Sequence, residues 1–243
     1  MSLDLVWQYL FSPAFFQGAL MTLLLTVCSL FFGIIAGLVL ALLQESRFRA
    51  GSVLAFFYLW LFRGTPVLFQ IIFVYNVLPT FGLRFSAFTC AVMALSLNEG
   101  AYMAEILRSG LQAVRSGQRT AGMALGMTQS QIMRKIVLPQ AARIVLPPMG
   151  NQMISMLKSS ALVSVIAVQE LLLIANQTAS ASFRYFEALC AAGIYYLVLT
   201  SIFMVGQAWL ERSLDPKKRK KPALSLTERL LRSSTPNGGE ARE

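Results

Sequence analysis

Histidine is absent from the 243 residues of this chain, and cysteine occurs only three times. Without imidazole, most general acid–base schemes and most metal sites lose their usual ligand. Cys28, Cys90 and Cys190 lie singly inside apolar runs, with no CxxC spacing, so they read as small core hydrophobes. No metal site and no cofactor are expected. Charge is scarce as well: 13% of residues are Asp, Glu, Lys or Arg, against about 25% in an ordinary soluble domain. A phosphate-binding loop of the form G-x-x-x-x-G-K-[ST] is missing. The chain is therefore not expected to be an enzyme or to hydrolyse ATP. The first 13 residues carry Asp4 and no Lys or Arg, so a cleavable signal with a basic leading region is not expected.

What the chain has is apolar residues, 56% of the total, in long runs. The expected fold is an all-α polytopic membrane protein in one domain with about five transmembrane helices. The spans are expected at about 16–43, 52–77, 85–107, 147–168 and 188–210. The third is the least obvious, because only 14 uncharged residues, 85–98, precede Glu99 and a crossing needs roughly 20. Pro147-Pro148 is expected to open the fourth span, and 171–184 reads as a loop or an extended helix end. Gly33 and Gly37 form a G-x-x-x-G that permits close helix packing.

The basic residues set the orientation. Five spans put the termini on opposite sides of the membrane. With the N-terminus outside, 17 Lys and Arg fall on the cytoplasmic side and two, Arg84 and Arg184, on the outer side. The net charge of +10 is then mainly topological, and no nucleic-acid partner is expected. Residues 1–15 form an extracytoplasmic segment. Residues 215–243 form a basic, largely disordered cytoplasmic tail whose Lys217–Lys221 run lies near anionic headgroups.

Charged residues inside spans need a reason, because each costs roughly 2.5–3.5 kcal/mol on insertion scales. Arg63 and Lys158 both lie about eleven residues into their spans, roughly 17 Å deep and near the midplane. Glu99 lies near the middle of the third span, and Glu105 reaches the inner interface, where Arg108 is its i+3 partner. Asn98, Tyr102 and Glu105 share one helix face. A zwitterionic amino acid needs a carboxylate for its ammonium and a cation for its carboxylate. Glu99 with Arg63 or Lys158 would supply both, so Arg63, Asn98, Glu99, Tyr102 and Lys158 are the candidate pathway residues. The bland alternative is that these charges only neutralise one another and fix helix packing.

The longest polar stretch before the tail is 117–143. Ala121, Ala124 and Leu125 make a one-sided apolar stripe. Gly126 fits the left-handed position after a helix end, and Thr128 with Gln131 reads as a capping box. A second short helix is expected to bury Ile132, Met133, Ile136 and Val137, and Pro139 to limit its continuation. A DNA-binding helix-turn-helix would use Arg119, Arg134 and Lys135 on phosphates, but here the flanks are membrane spans.

This hairpin, 117–140, resembles the cytoplasmic EAA motif of ABC-importer permeases. Thr120-Ala121-Gly122, three residues, Gly126, nine residues, then Ile136-Val137-Leu138-Pro139 follows that motif's spacing, with Thr120 for its Glu and Gly122 for its second Ala. Arg63-Gly64-Thr65-Pro66, the stretch Leu97 to Glu105, and Leu157 to Ser164 resemble motifs of the polar amino acid group of these permeases. Ser159 stands where that group has Asp, and Ala161 where it has Ser.

The resemblance implies a type I ABC importer transmembrane domain over 16–214. It implies an ATP-driven, binding-protein-dependent importer of polar amino acids in a bacterial inner membrane. The partners it implies are an ATP-binding cassette ATPase dimer, an extracytoplasmic amino-acid-binding protein and a second permease subunit, identical or paralogous. Thr120, Ala121, Gly122, Gly126, Ile136, Leu138 and Pro139 would couple the pathway to the ATPase. Two alternatives stand beside it: a permease for another small polar solute, such as an opine, ectoine or an organic cation, and a secondary carrier, which usually has more spans and inverted repeats.

Overall fold

In lipid the hydrophobic effect does not drive one apolar helix onto another, so small residues and internal hydrogen bonds decide the packing. The computed structural model describes residues 2–46 and 49–214. These form helices joined by short turns, with no strand among the described residues. Arg47 of the basic loop and the tail from 215 lie outside the described residues.

The long helix α2, Pro13–Glu45, begins at Ser12, whose hydroxyl accepts from the Phe15 N–H at 3.4 Å. Its buried face is a ladder of small residues, Gly18, Thr22, Thr26, Ser29, Gly33 and Gly37. Its exposed face carries Phe16, Leu20, Leu24, Phe31, Phe32 and Leu38. The polarity of a soluble helix is thus inverted, with bulk facing outward to lipid. Thr22 and Thr26 satisfy their hydroxyls on backbone carbonyls one turn back, at 3.0 and 2.8 Å.

Against this ladder lies α5, Ala87–Ala113, the central helix of the bundle. A Cβ placed on Gly33 would stand 2.6 Å from Glu99 Cγ, and one on Gly37 would stand 2.5 Å from Met103 Cβ. Gly100 returns the contact by closing on Ala36. The G-x-x-x-G is a helix seam, and no larger residue fits there.

The second expected span is not straight. The chain forms α3, Arg49–Gly64, then α4, Val67–Val77, and the two are bent by 104°. Pro66 has no N–H and disfavours helical geometry in the residue before it, so the helix stops at Gly64. A short 3₁₀ turn, Leu78–Phe81, follows.

The fourth span also starts differently. After a short hairpin, the chain passes through a π-helical turn, Met133–Val137, into α8, Leu138–Ser159. Pro139 follows directly on the π turn, and the chain stays helical through it, so it does not limit the helix. Pro147 and Pro148 lie inside α8 instead of opening it. The carbonyl of Pro147 accepts from the Gln207 amide at 3.3 Å. A 3₁₀ segment, Ser160–Ile166, continues α8.

Residues 171–182 are helical too. This is α9, Leu171–Ser182, set at 51° to the preceding helical segment. The last helix, α10, Tyr185–Leu214, packs on α8 and α9, and the N-terminal segment folds as α1, Leu3–Leu10, against α10. By length and composition α2 and α10 can each cross a membrane, and each bent pair can cross as one span, which gives two to four crossings. The third expected span is α5, which is not among these four. At 27 residues, about 40 Å, it is long enough, but Glu99, Glu105 and Arg108 lower its apolar character.

The seam gives a direct test. Gly33→Val should lower the stability of the purified protein by about 1–3 kcal/mol, the cost of overpacking. Gly193→Ala, with open space around its Cβ position, should leave the melting temperature in detergent unchanged. Equal melting temperatures for both variants would contradict the seam.

Candidate functional site

A broken helix leaves backbone carbonyls without partners, and lipid cannot supply them. At the break the Thr65 hydroxyl donates to the Leu61 carbonyl at 2.8 Å. The buried Gln70 amide donates to the Phe62 carbonyl at 2.9 Å and to the Thr65 carbonyl at 3.1 Å. From α5, Asn98 Nδ2 reaches the same Phe62 carbonyl at 3.1 Å and Gln70 Oε1 at 3.0 Å. Asn98 thus holds the break open. Gln70 was not among the expected site residues, although a lone amide in the apolar run 67–75 is a visible signal.

The break forms one wall of a cleft of about 580 Å³. Arg63, Gly64, Thr65 and Pro66 line it from the break, Asn98, Glu99 and Tyr102 from α5, and Gln152, Ser155 and Ser159 from α8. Glu99 is 1% exposed. Its Oε2 accepts from Gln152 Nε2 at 3.1 Å, and its Oε1 has no hydrogen-bond partner among the described residues. A buried carboxylate with one oxygen held and one free is a receptor for a cation or a hydrogen-bond donor.

Glu99 makes no ion pair with Arg63 or Lys158, as mutual neutralisation would require. Arg63 Nη1 instead donates to Glu105 Oε2 at 2.9 Å, and its guanidinium lies 5.7 Å from the centre of the Tyr102 ring. Glu105 also takes Arg108 at 3.3 Å, the i+3 pair read from the sequence. The reach of Arg explains the difference: α3 ends beside the lower part of α5, so the guanidinium meets Glu105 first. Lys158 is exposed on α8 and makes no ion pair among the described residues; its neighbour Ser159 lines the cleft in its place. A second cleft, about 670 Å³, lies between α2, α3 and α5 and is lined by Gln44, Ser52, Trp60, Glu105 and Arg108. Arg63, Gly64 and Tyr102 line both clefts and divide them.

Glu170 is a buried acid that the sequence reading passed over. It caps α9, accepting from the Leu172 and Leu173 N–H groups at 2.8 and 2.7 Å and from the Tyr196 hydroxyl at 3.0 Å. The Leu171 N–H is taken by Thr22 of α2 at 3.2 Å. A single acid before the run Leu171-Leu172-Leu173 was the available signal.

The polar hairpin stands at the other end of α5. Its first helix, α6, Ser116–Ala124, closes with a Schellman motif. The Gly126 N–H reaches the Met123 carbonyl at 2.9 Å, the Met127 N–H reaches the Gly122 carbonyl at 3.0 Å, and Gly126 has φ +75°. The second helix, α7, Gln129–Ile132, opens with the expected capping box between Thr128 and Gln131. Its packing is different from the expected stripe. Gly122 is buried, with Ile132 and Ile136 against it, whereas Ala121, Ala124 and Leu125 face outward, Leu125 being 81% exposed. Ile132 and Val137 are buried, Ile136 is half-buried and Met133 is exposed. Thr120 is exposed, its hydroxyl on the Ser116 carbonyl at 3.2 Å, and Leu138 and Pro139 are exposed on the first turn of α8. α7, the π turn and α8 are continuous, and α8 carries Gln152 to the cleft.

An apolar bundle, a polar cleft at its centre and a rigid external hairpin together define a membrane transport component. Residues 29–216 match the family of binding-protein-dependent transport system inner membrane components, and the chain belongs to that family. Among its relatives is the arginine transport system permease protein ArgU of Corynebacterium glutamicum, 40% identical over 228 residues covering 87% of this chain and 72% of ArgU. ArtQ of Bacillus subtilis, also an arginine transport system permease protein, is 39% identical over 83% of this chain and 93% of its own. The glutamine transport system permease protein GlnP of Escherichia coli K12 is 35% identical over the same shares.

The crystal structure of an amino acid ABC transporter with histidines superposes with a TM-score of 0.82 at 40% identity, covering 88% of this chain and 100% of that one. The MetNI methionine ABC transporter, in an inward-facing conformation, shares the fold at a TM-score of 0.70 and 20% identity. The fold is that of the type I ABC importer permeases.

The hairpin carries a prediction. Gly126→Val forces a β-branched residue into the left-handed region, at about 1–3 kcal/mol. The variant should insert normally yet be cut by protease within 116–137 several-fold faster than the parent. Unchanged cleavage would contradict the fixed turn.

Proposed function

We propose that this chain is the permease subunit of an ATP-driven, binding-protein-dependent importer of polar amino acids. The observation that carries the reading is Glu99, a buried carboxylate beside a polar cleft among the membrane helices, one of whose oxygens has no hydrogen-bond partner among the described residues. An amino acid ammonium would bind that oxygen. Arg63 has guanidinium donors beyond the one given to Glu105, and these would face the substrate carboxylate. Tyr102 and Asn98 complete the wall. The identities of the relatives, permeases of arginine and glutamine systems, support the same substrate class.

ATP hydrolysis falls to a separate ATPase dimer, on which the exposed Ala121, Ala124 and Leu125 face of the hairpin would dock. Thr120, Gly126, Ile136, Leu138 and Pro139 shape that face, while Gly122 fixes it from within. A binding protein would deliver the amino acid to the outer side, where the N-terminus lies, and the C-terminus would be cytoplasmic. A second permease subunit, identical or paralogous, would close the pathway. The exposed Lys158 supports this. A lone ammonium facing lipid would cost roughly 2.5–3.5 kcal/mol, so the α8 face that bears it belongs against protein or the water-filled pathway.

The test is uptake of labelled amino acids by vesicles holding the permease, its ATPase and its binding protein. Uptake should require ATP and survive a proton uncoupler. Glu99→Gln should slow it by roughly tenfold or more, the loss of one charged hydrogen bond, and Glu105→Gln by less. Uptake that collapses with the proton gradient would make this a secondary carrier, and equal losses in the two variants would remove Glu99 from the pathway.

A further inference from the structure

The eight residues of α1 span about 12 Å, far too short to cross a membrane. They are held firmly nonetheless. Tyr195 of α10 donates to the Leu10 carbonyl at 2.6 Å, the Ser2 N–H reaches Glu187 at 3.2 Å, and Tyr9 reaches Ser182 at 3.3 Å. Val6 packs inward. On the outward side Leu3, Trp7 and Phe11, spaced four apart, are 76%, 61% and 79% exposed. The Trp7 and Phe11 rings stack at 5.8 Å. Beside them runs a polar stripe, Asp4 and Gln8, also exposed. A short helix with one apolar and one polar outer stripe matches the boundary between lipid and water.

Between α1 and α10 lies an apolar groove of about 630 Å³, bounded by Trp7, Phe11, Phe16, Ile194, Tyr195 and Val198. Its volume is in the range of about 300–1,000 Å³ typical of small-molecule sites. The Tyr195 hydroxyl in its wall is already committed to Leu10. Phe16 and Val198 continue directly into the exposed apolar faces of α2 and α10, the two helices that can cross a membrane singly. The groove is thus an extension of the lipid-facing surface. We propose that α1 lies in the membrane interface and that this groove seats an acyl chain of a phospholipid in the leaflet on the N-terminal side. No Lys or Arg lies on α1, so the contact rests on aromatic and aliphatic area and does not need anionic lipid.

The experiment uses the full chain with Trp60→Phe and Trp209→Phe, which leaves Trp7 as the sole tryptophan. Both replaced residues are exposed, and circular dichroism checks that the variant is folded. It is reconstituted in zwitterionic phosphatidylcholine vesicles containing lipid brominated on its acyl chains. Bromine near the headgroup end should lower Trp7 fluorescence by about twofold or more, bromine at the chain end should do less, and acrylamide in the water should do little. Strong acrylamide quenching with no bromine effect would put α1 in water and overturn the proposal. Protection from both quenchers would put α1 against a protein surface, such as a second copy of the chain, and would overturn it equally.

Discussion

Everything central in this bundle is placed by the close approach of α2 and α5. Two glycines and an alanine on α2 let the helices meet where a larger residue would strike Glu99 or Met103. Glu99 sits at the seam itself, so the same contact that packs the helices buries the carboxylate beside the cleft. Tyr58 ties α3 to the seam through the Leu97 carbonyl at 2.7 Å. Asn98, one residue on, reaches across to the break between α3 and α4. The site is assembled by the packing, not added to it.

The second constraint is that a bundle in lipid has to satisfy its own backbone. An unsatisfied group there costs several kcal/mol. A 104° bend is affordable only because Gln70, Thr65 and Asn98 take up the freed carbonyls. The start of α9 is handled in the same way, by Glu170 and Thr22. These polar side chains are committed to backbone groups for a structural reason, which separates them from Glu99, where one oxygen is left over.

Much of this was legible in the sequence because it rests on local chemistry. The Schellman glycine and capping box located the hairpin turn, since each depends on residues three or four apart. The small-residue spacing of Gly33 and Gly37 identified the seam. What was not legible depends on geometry between distant segments. Pro66 allowed a bend but did not set its angle, so Arg63 was expected near Glu99 and in fact meets Glu105. Pro139, Pro147 and Pro148 were read as boundaries, yet the chain stays helical through all three. The apolar stripe Ala121, Ala124 and Leu125 was visible, but a pattern cannot say whether a stripe faces its own protein or another. Here Gly122 takes the inner position and leaves the stripe outward. Helix periodicity put Asn98, Tyr102 and Glu105 on one face, whereas that Glu99 lines one cleft with Asn98 and Tyr102 required the fold.

The most direct measurement is the ATPase activity of the complex purified by co-expression of this chain with its genomic neighbours. It is assayed with the binding protein loaded in turn with each of the twenty amino acids. The account predicts that an ATPase co-purifies and that a small set of polar or charged amino acids stimulates it. Recovery of the intact chain without an ATPase, or stimulation by none of the twenty, would contradict it.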